Sequence, residues 1–213
     1  EGQEAEGYDC LFTTQVSYVT GDLDVHDMAL DGEQPMIIDC GSNIGMSICF
    51  FKAVHPGARI LGFEPNPEQS RILKQTISRN DFSNVEILEF ALGNGDGTVD
   101  FFVNESSPGT LNQGLYSRSE GAPTYQVQME RLSRYIDEPV DLVKLDIEGA
   151  EMELFSVDNT WLKKVGLVIL EFHEHYSPGS TEMIKSVMKD YGFRKVLEQV
   201  ENVIFEAYQS SAT

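Results

Sequence analysis

Apolar and polar residues alternate in blocks from Met36 onward. MIIDC is a short apolar run closed by the glycine-rich turn GSNIG, and GMSICFFKAVH then has helical character. RILGFE predicts a second strand. PNPEQSRILKQTISRN carries clear helix signals: Asn66 is a capping residue, Pro67 suits a first helical position, Gln69 follows Asn66 at the capping-box spacing, and Ile72, Leu73 and Ile77 share an apolar face. VEILEFAL predicts a third strand, closed by the turn GNGDG, and TVDFFV a further short one. YQVQM and ERLSRYI suggest a strand and a short helix, VDLVKLD a buried strand, and GAEMELF the helix after it. VGLVILEFHEH is an apolar strand with a polar end. In STEMIKSVMKDYG, Met183, Ile184, Val187, Met188 and Tyr191 fall on one helical face and Gly192 terminates it. FRKVL and NVIFEAY, joined by a short polar link, predict an antiparallel hairpin.

Strands and helices in alternation predict an α/β fold, with a doubly wound, mostly parallel sheet covered on both faces and a C-terminal antiparallel hairpin. Residues 31–213 read as one domain, and residues 1–30 as an N-terminal extension or lid. The segment from Asn104 to Thr124 is rich in Ser, Gly and Pro and is the longest loop-like stretch, a kind of segment that on such scaffolds often covers ligands.

Charge narrows the choice of partner. The chain has 15 Lys and Arg against 35 Asp and Glu, a formal net charge of −20. Such a surface repels phosphate backbones and anionic lipid, so nucleic acid is not the expected substrate. Cys10, Cys40 and Cys49 form no CxxC pair and lie mostly in apolar runs, which reads as buried free thiols in a reducing, cytoplasmic compartment. No apolar run reaches the roughly 18 residues of a membrane span, and no leader pattern is visible.

IIDCGSNIGMS is a strand feeding a glycine-rich turn and then a helix, the general entry to a nucleotide site. Counting from Gly41, Asn43 and Met46 stand where a dinucleotide fingerprint needs glycine, and no Walker lysine is present. What stands here is D-x-G-x-N-x-G: Asp39, Gly41, Asn43 and Gly45, with Ser42 between them and Glu64-Pro65 at the end of the second strand. This pattern resembles the class I S-adenosylmethionine-dependent methyltransferases. The resemblance implies a seven-stranded sheet, a turn at Asp39, Gly41, Ser42, Asn43 and Gly45 that cradles the methionine part of the cofactor, and a Glu64 carboxylate accepting from the ribose hydroxyls. It also implies adenine held between Ala91 and Leu92. Read singly, Asp39 and Glu64 are equally ordinary strand-end residues, and Ala91 and Leu92 ordinary packing.

KLDIEGAE and, some twenty residues on, LEFH both close apolar strands with polar groups. In a doubly wound sheet the two strand ends share one crevice, so Asp146, Glu148, Glu171 and His173 converge there. DCGSNIG together with KLDIEGAE and LEFH resembles the FkbM family of methyltransferases, from about Met36 to His173; ERLSRYI departs from the Thr-Leu-Asp common in that family. The family implies O-methylation of a hydroxyl on a sugar, glycolipid or natural product. An alcohol is a poor nucleophile at neutral pH, which calls for a general base. His173 is the first candidate because its ordinary pKa lies near working pH. Glu148 and Glu171 are candidates to orient the acceptor or take its proton, and Asp146 to face the cofactor's methionine end. Glu148 and Glu151 also read as first-turn carboxylates favoured by a helix dipole.

The same four groups form an oxygen-rich set with one imidazole, compatible with a divalent metal, though a metal is not the favoured reading. An NAD(P)-dependent oxidoreductase and a binding module without catalysis are the alternatives in function. The sequence leaves the acceptor's identity and the oligomeric state open.

Overall fold

The computed structural model describes residues 30–102, 124–173, 178–199 and 202–207. The expected N-terminal extension or lid and the long loop after residue 102 lie outside these residues, apart from Leu30 and the loop's end at Thr124.

Among the described residues ten strands and four α-helices follow one another in nearly the predicted order. They are β1 Met36–Cys40, α1 Met46–Val54, β2 Arg59–Phe63, α2 Pro67–Arg79, β3 Val85–Leu88, β4 Phe90–Leu92, β5 Gly97–Phe102, β6 Thr124–Glu130, β7 Val140–Leu145, α3 Glu151–Phe155, β8 Val165–Glu171, α4 Ser180–Asp190, β9 Phe193–Gln199 and β10 Asn202–Ala207. Short 3-10 turns precede β7 and β8. Seven strands form one sheet in the order β3-β2-β1-β7-β8-β10-β9. β3, β2, β1, β7 and β8 are mutually parallel. The last strand, β10, inserts between β8 and β9 and runs antiparallel to both, which closes the predicted hairpin.

Both faces of the sheet are covered, for the reason the sequence supplies. Ile37, Leu142 and Ile169 point to one face, where Ile48 and Phe51 of α1 and Leu73 of α2 bury them. Ile38, Val143 and Val168 point to the other, against Ile184 and Met188 of α4 and Leu154 of α3. Each fully buried side chain of this size contributes about 1.5–3 kcal/mol. Period-two alternation in the strands and the 3.6 period of the helices thus meet in two apolar layers. α2 starts as its cap predicts, with the Asn66 side chain accepting from the backbone N–H of Glu68 and, at 3.5 Å, of Gln69.

Three expectations change. VEILEFAL is not one strand: it breaks at Glu89, whose carboxylate accepts from Ser70 (2.7 Å) and pairs with Lys74 (2.9 Å), holding it outward over α2. Beyond the break the chain leaves the main sheet, and β4 joins a separate three-stranded sheet in the order β4-β6-β5. Glu148 is not in a helix either; it sits in the β7–α3 turn at φ 55°, and α3 begins at Glu151. Cys49 is disulfide-bonded, while Cys40 is a buried free thiol. The disulfide removes the free-thiol ground for expecting a reducing compartment. Among the described residues no helix is long and apolar enough to cross a membrane.

Candidate active site

β1 and β7 are neighbours in the sheet although the chain builds β2 and β3 outward on the far side of β1. The strand order therefore reverses between them, and a crevice opens outside their carboxyl ends. Cys40, Phe63, Leu145 and Leu170 lie level at that edge through the pairing of β2, β1, β7 and β8.

The glycine-rich turn is built by close approach. Gly41 has φ 83°, and a Cβ there would lie 1.8 Å from the Asp146 carbonyl oxygen, so only glycine lets the ends of β1 and β7 meet. Asn43 adopts φ 49°, the left-handed region that asparagine tolerates. The turn's amides are largely used internally. Gly41 and Ser42 donate to the Phe63 carbonyl (3.0 and 2.9 Å), Gly45 donates to the Ser42 carbonyl (2.9 Å), and Asn43 donates to Glu64 Oε2 (2.9 Å). The turn thus offers a ligand its shape more than its N–H groups.

Glu64 is 4% exposed and also accepts from the Asn66 N–H at 2.8 Å. A carboxylate has about four acceptor positions, so two remain for a ligand. Burial pushes its pKa up to about 7, against the two backbone hydrogen bonds that favour the charged form. Asp39 lies beneath the turn, wholly buried, and accepts from Ser47 Oγ at 2.5 Å. Its other oxygen is 3.3 Å from Lys144 Nζ, a charge contact without hydrogen-bond alignment. Lys144 donates to the Gly41 carbonyl (3.1 Å) and to Asp146 Oδ2 (3.3 Å). Burial by itself would lower its pKa, but Asp39 and Asp146 outweigh that and raise it, so Lys144 is a fixed cation tying the ends of β1 and β7 together. The register of β1 and β7 sets this lysine opposite Asp39.

A cleft runs from this turn along the strand ends. Gly41, Asn43, Glu64 and Pro65 line one end, and Ala91 and Leu92 of β4 line a wall. Asp146 and Glu148 line it as well. Ser42 and Gly45 support the turn from behind, with Asp39 below. Phe90 and Phe101, which sequence reasoning missed, complete the apolar wall. Their part depends on the second sheet, which pattern alone did not reveal.

Past Asp146 and Glu148 lies His173, 7% exposed, with Glu171 at the end of β8. Its Nε2 is 3.7 Å from Glu148 Oε2 and 3.9 Å from both Asp146 Oδ1 and Glu171 Oε1, while Nδ1 is 3.0 Å from Glu151 Oε1. Burial opposes charge on the ring, but the bond to Glu151 and the charges of Glu151, Glu148 and Asp146 prevail and raise its pKa to about 9. Burial and the nearby Asp146 charge push Glu171 up to about 7, opposed by His173 and Lys144. Asp146, Glu171 and His173 offer ligand atoms within 4.8 Å of one another, close enough to hold a metal ion. Among the described residues, Lys144 is the lysine beside these carboxylates, 3.3 Å from Asp146 Oδ2.

Strand order, a switch-point turn of this shape and a buried carboxylate ending β2 define a class I methyltransferase-like α/β protein. An rRNA methylase from Streptococcus thermophilus shares the fold, with a TM-score of 0.52 and 14% sequence identity, the match covering 86% of this chain and 94% of that one. The chain belongs to the FkbM methyltransferase family: the model of the methyltransferase FkbM domain matches residues 39–195. It is 30% identical over 209 residues to methyltransferase sdnD of Sordaria araneosa, covering 83% of this chain and 80% of that protein. It is 29% identical over 198 residues to the hexuronic acid methyltransferase AglP of Haloferax volcanii, covering 87% and 80%. These relationships favour methyl transfer over the oxidoreductase alternative.

Proposed function

We propose that the protein transfers a methyl group from S-adenosylmethionine to a hydroxyl of a small acceptor, a sugar or a natural product. The observation that carries the reading is that one cleft is lined both by Gly41, Asn43 and Glu64 of the cofactor side and by Asp146 and Glu148 after β7. The fit to the cofactor rests on the close approach at Gly41 and on the two acceptor positions left on Glu64. The sugar relative supports the acceptor class, and a net charge of −20 speaks against nucleic acid.

When bound, S-adenosylmethionine supplies an activated methyl group, so that the protein's part is positioning and proton handling. Glu64 would take the ribose hydroxyls, Ala91 and Leu92 would flank the adenine, and Asp146 would face the methionine end. Glu148 orients the acceptor hydroxyl and Glu171 accepts its proton. A base must be unprotonated and near its pKa at working pH, which suits Glu171 and not a protonated His173. His173 instead supplies a positive charge beside the carboxylates.

Glu64 gives the cofactor half of this proposal a distinct test. Its pKa of about 7 means that it carries a proton below neutrality in the ligand-free protein. Hydroxyl donors favour the carboxylate, so cofactor binding expels that proton, and affinity rises as pH rises through 7. From pH 6 to pH 8 the affinity is expected to increase about tenfold. Calorimetry in buffers of different ionisation enthalpy reads the released proton: near one per site at pH 6, near none at pH 8. Glu64→Gln should flatten the dependence. No binding of S-adenosylmethionine at any pH would sink the reading.

A further inference from the structure

Gln69 stands three residues after the N-cap Asn66, the position from which a glutamine closes a capping box on the N-cap's backbone N–H. That bond is not made. The Asn66 N–H donates instead to Glu64 Oε1 at 2.8 Å. The Asn66 side chain keeps its own half of the box, accepting from the N–H of Glu68 (2.9 Å) and of Gln69 (3.5 Å). The Gln69 side-chain amide is thereby released from the helix start, and among the described residues it has no hydrogen-bond partner. It is nonetheless only 8% exposed, and it lines the cleft. Burying an amide unpaired is unfavourable, so a polar partner belongs in the cleft beside it.

The place of this amide is fixed from both sides. Asn66 links it to Glu64, as the bonds above describe. On the other side, Ser70 Oγ donates to Glu89 Oε1 at 2.7 Å, which ties the residue after Gln69 to the one before Phe90. Gln69 therefore lies between the carboxylate ending β2 and the β4 wall. That wall, with Phe90, Ala91, Leu92 and Phe101, is apolar. Among the described residues lining the cleft, the other polar side chains are Asn43 and Glu64 at the turn and Asp146 and Glu148 after β7. A flat base lying along the apolar wall would find its hydrogen-bonding partner in Gln69. Adenine presents a 6-amino donor beside a ring-nitrogen acceptor, a pattern that a glutamine amide meets with two hydrogen bonds.

We infer that Gln69 reads the base of the cofactor: its amide pairs with the amino-bearing edge of the adenine while Glu64 takes the ribose. The inference rests on the methyl-transfer reading above and adds to it the choice of base. It makes Gln69 a specificity residue with no part in proton transfer. Loss of the amide should therefore remove a preference between bases. A role confined to packing would weaken every ligand alike.

The test is calorimetry with two ligands: S-adenosylhomocysteine, and its analogue with purine in place of adenine, which lacks the 6-amino group. Wild type is expected to bind the adenine form about tenfold more tightly. Gln69→Leu removes the amide and keeps an apolar side chain of similar size. It should bind the two forms alike, with affinity for the adenine form down about tenfold and affinity for the purine form changed less than about threefold. Denaturant unfolding checks that the variant is folded. Equal affinity of the wild type for the two forms, which needs no variant to fold, overturns the inference and leaves the methyl-transfer reading standing. So does a Gln69→Leu that keeps the wild-type preference, or one that loses affinity for both forms equally. If the wild type binds neither S-adenosylmethionine nor S-adenosylhomocysteine, the functional reading and the inference fall together.

Discussion

Gly41→Ala is expected to destabilise the protein by about 4 kcal/mol or more, a drop in Tm of roughly 10 °C for a domain of this size, and to abolish cofactor binding. Two separate costs add. The backbone at Gly41 has φ 83°, which an L side chain adopts at a cost of about 1–2 kcal/mol. The new Cβ would also sit 1.8 Å from the carbonyl oxygen and 2.9 Å from the carbonyl carbon of Asp146. Both are backbone atoms and cannot rotate away. Asp146 is held there by its own N–H, which donates to the Cys40 carbonyl at 3.1 Å. Relief of the overlap therefore parts β1 from β7 at the point where Asp39, Lys144 and Asp146 meet. Gly95→Ala is the control, since a Cβ there meets only Met129 Cε at 3.9 Å and should change stability by no more than about 0.5 kcal/mol. Denaturant unfolding of the two variants against wild type measures the contrast. Equal stability of Gly41→Ala and Gly95→Ala would show that the strand ends are not in contact as described.

Glu171→Gln should lower kcat about 10²–10⁴-fold, the usual worth of a general base, while cofactor affinity stays within about threefold. The amide keeps the side chain's shape and removes its ability to take a proton. Glu171 has a pKa of about 7, raised by burial and by Asp146, so the wild-type rate should fall as pH drops through neutrality, where the carboxyl becomes protonated. In Glu171→Gln that acid limb should vanish from the residual rate. Single-turnover kinetics across pH 5.5–8.5 would show both effects. A full rate in Glu171→Gln would assign the proton to another acceptor.

Fold and glycine-rich turn were legible because each rests on local chemistry. Asn66 and Pro67 mark the start of α2, the helical faces of α2 and α4 follow the 3.6 period, and D-x-G-x-N-x-G carries its own conformational demands at Gly41 and Asn43. What escaped the sequence depends on neighbours distant in the chain. The break at Glu89 is set by Ser70 and Lys74 on α2, and the second sheet by pairing of β4 with β6 some forty residues away. Glu148 read as a helix residue because α3 is short and the left-handed turn before it is a non-glycine one. Lys144 gained its role from register with Asp39. His173 looked like a base from its ordinary pKa; the carboxylates that surround it, one of them a residue taken for a dipole partner, raise that pKa to about 9, and they come from turns distant in the chain.

Methyl transfer is the central claim, and one measurement addresses it most directly. Protein incubated with methyl-labelled S-adenosylmethionine and a panel of hydroxylated sugars and natural products, with and without a metal chelator, is followed by mass spectrometry of the products. The account predicts label on an acceptor oxygen at a rate the chelator leaves unchanged, because Lys144 and His173 already supply the cations at the site. Label on nitrogen or carbon, or no transfer across the panel and cell extracts by a protein that binds the cofactor, would contradict it.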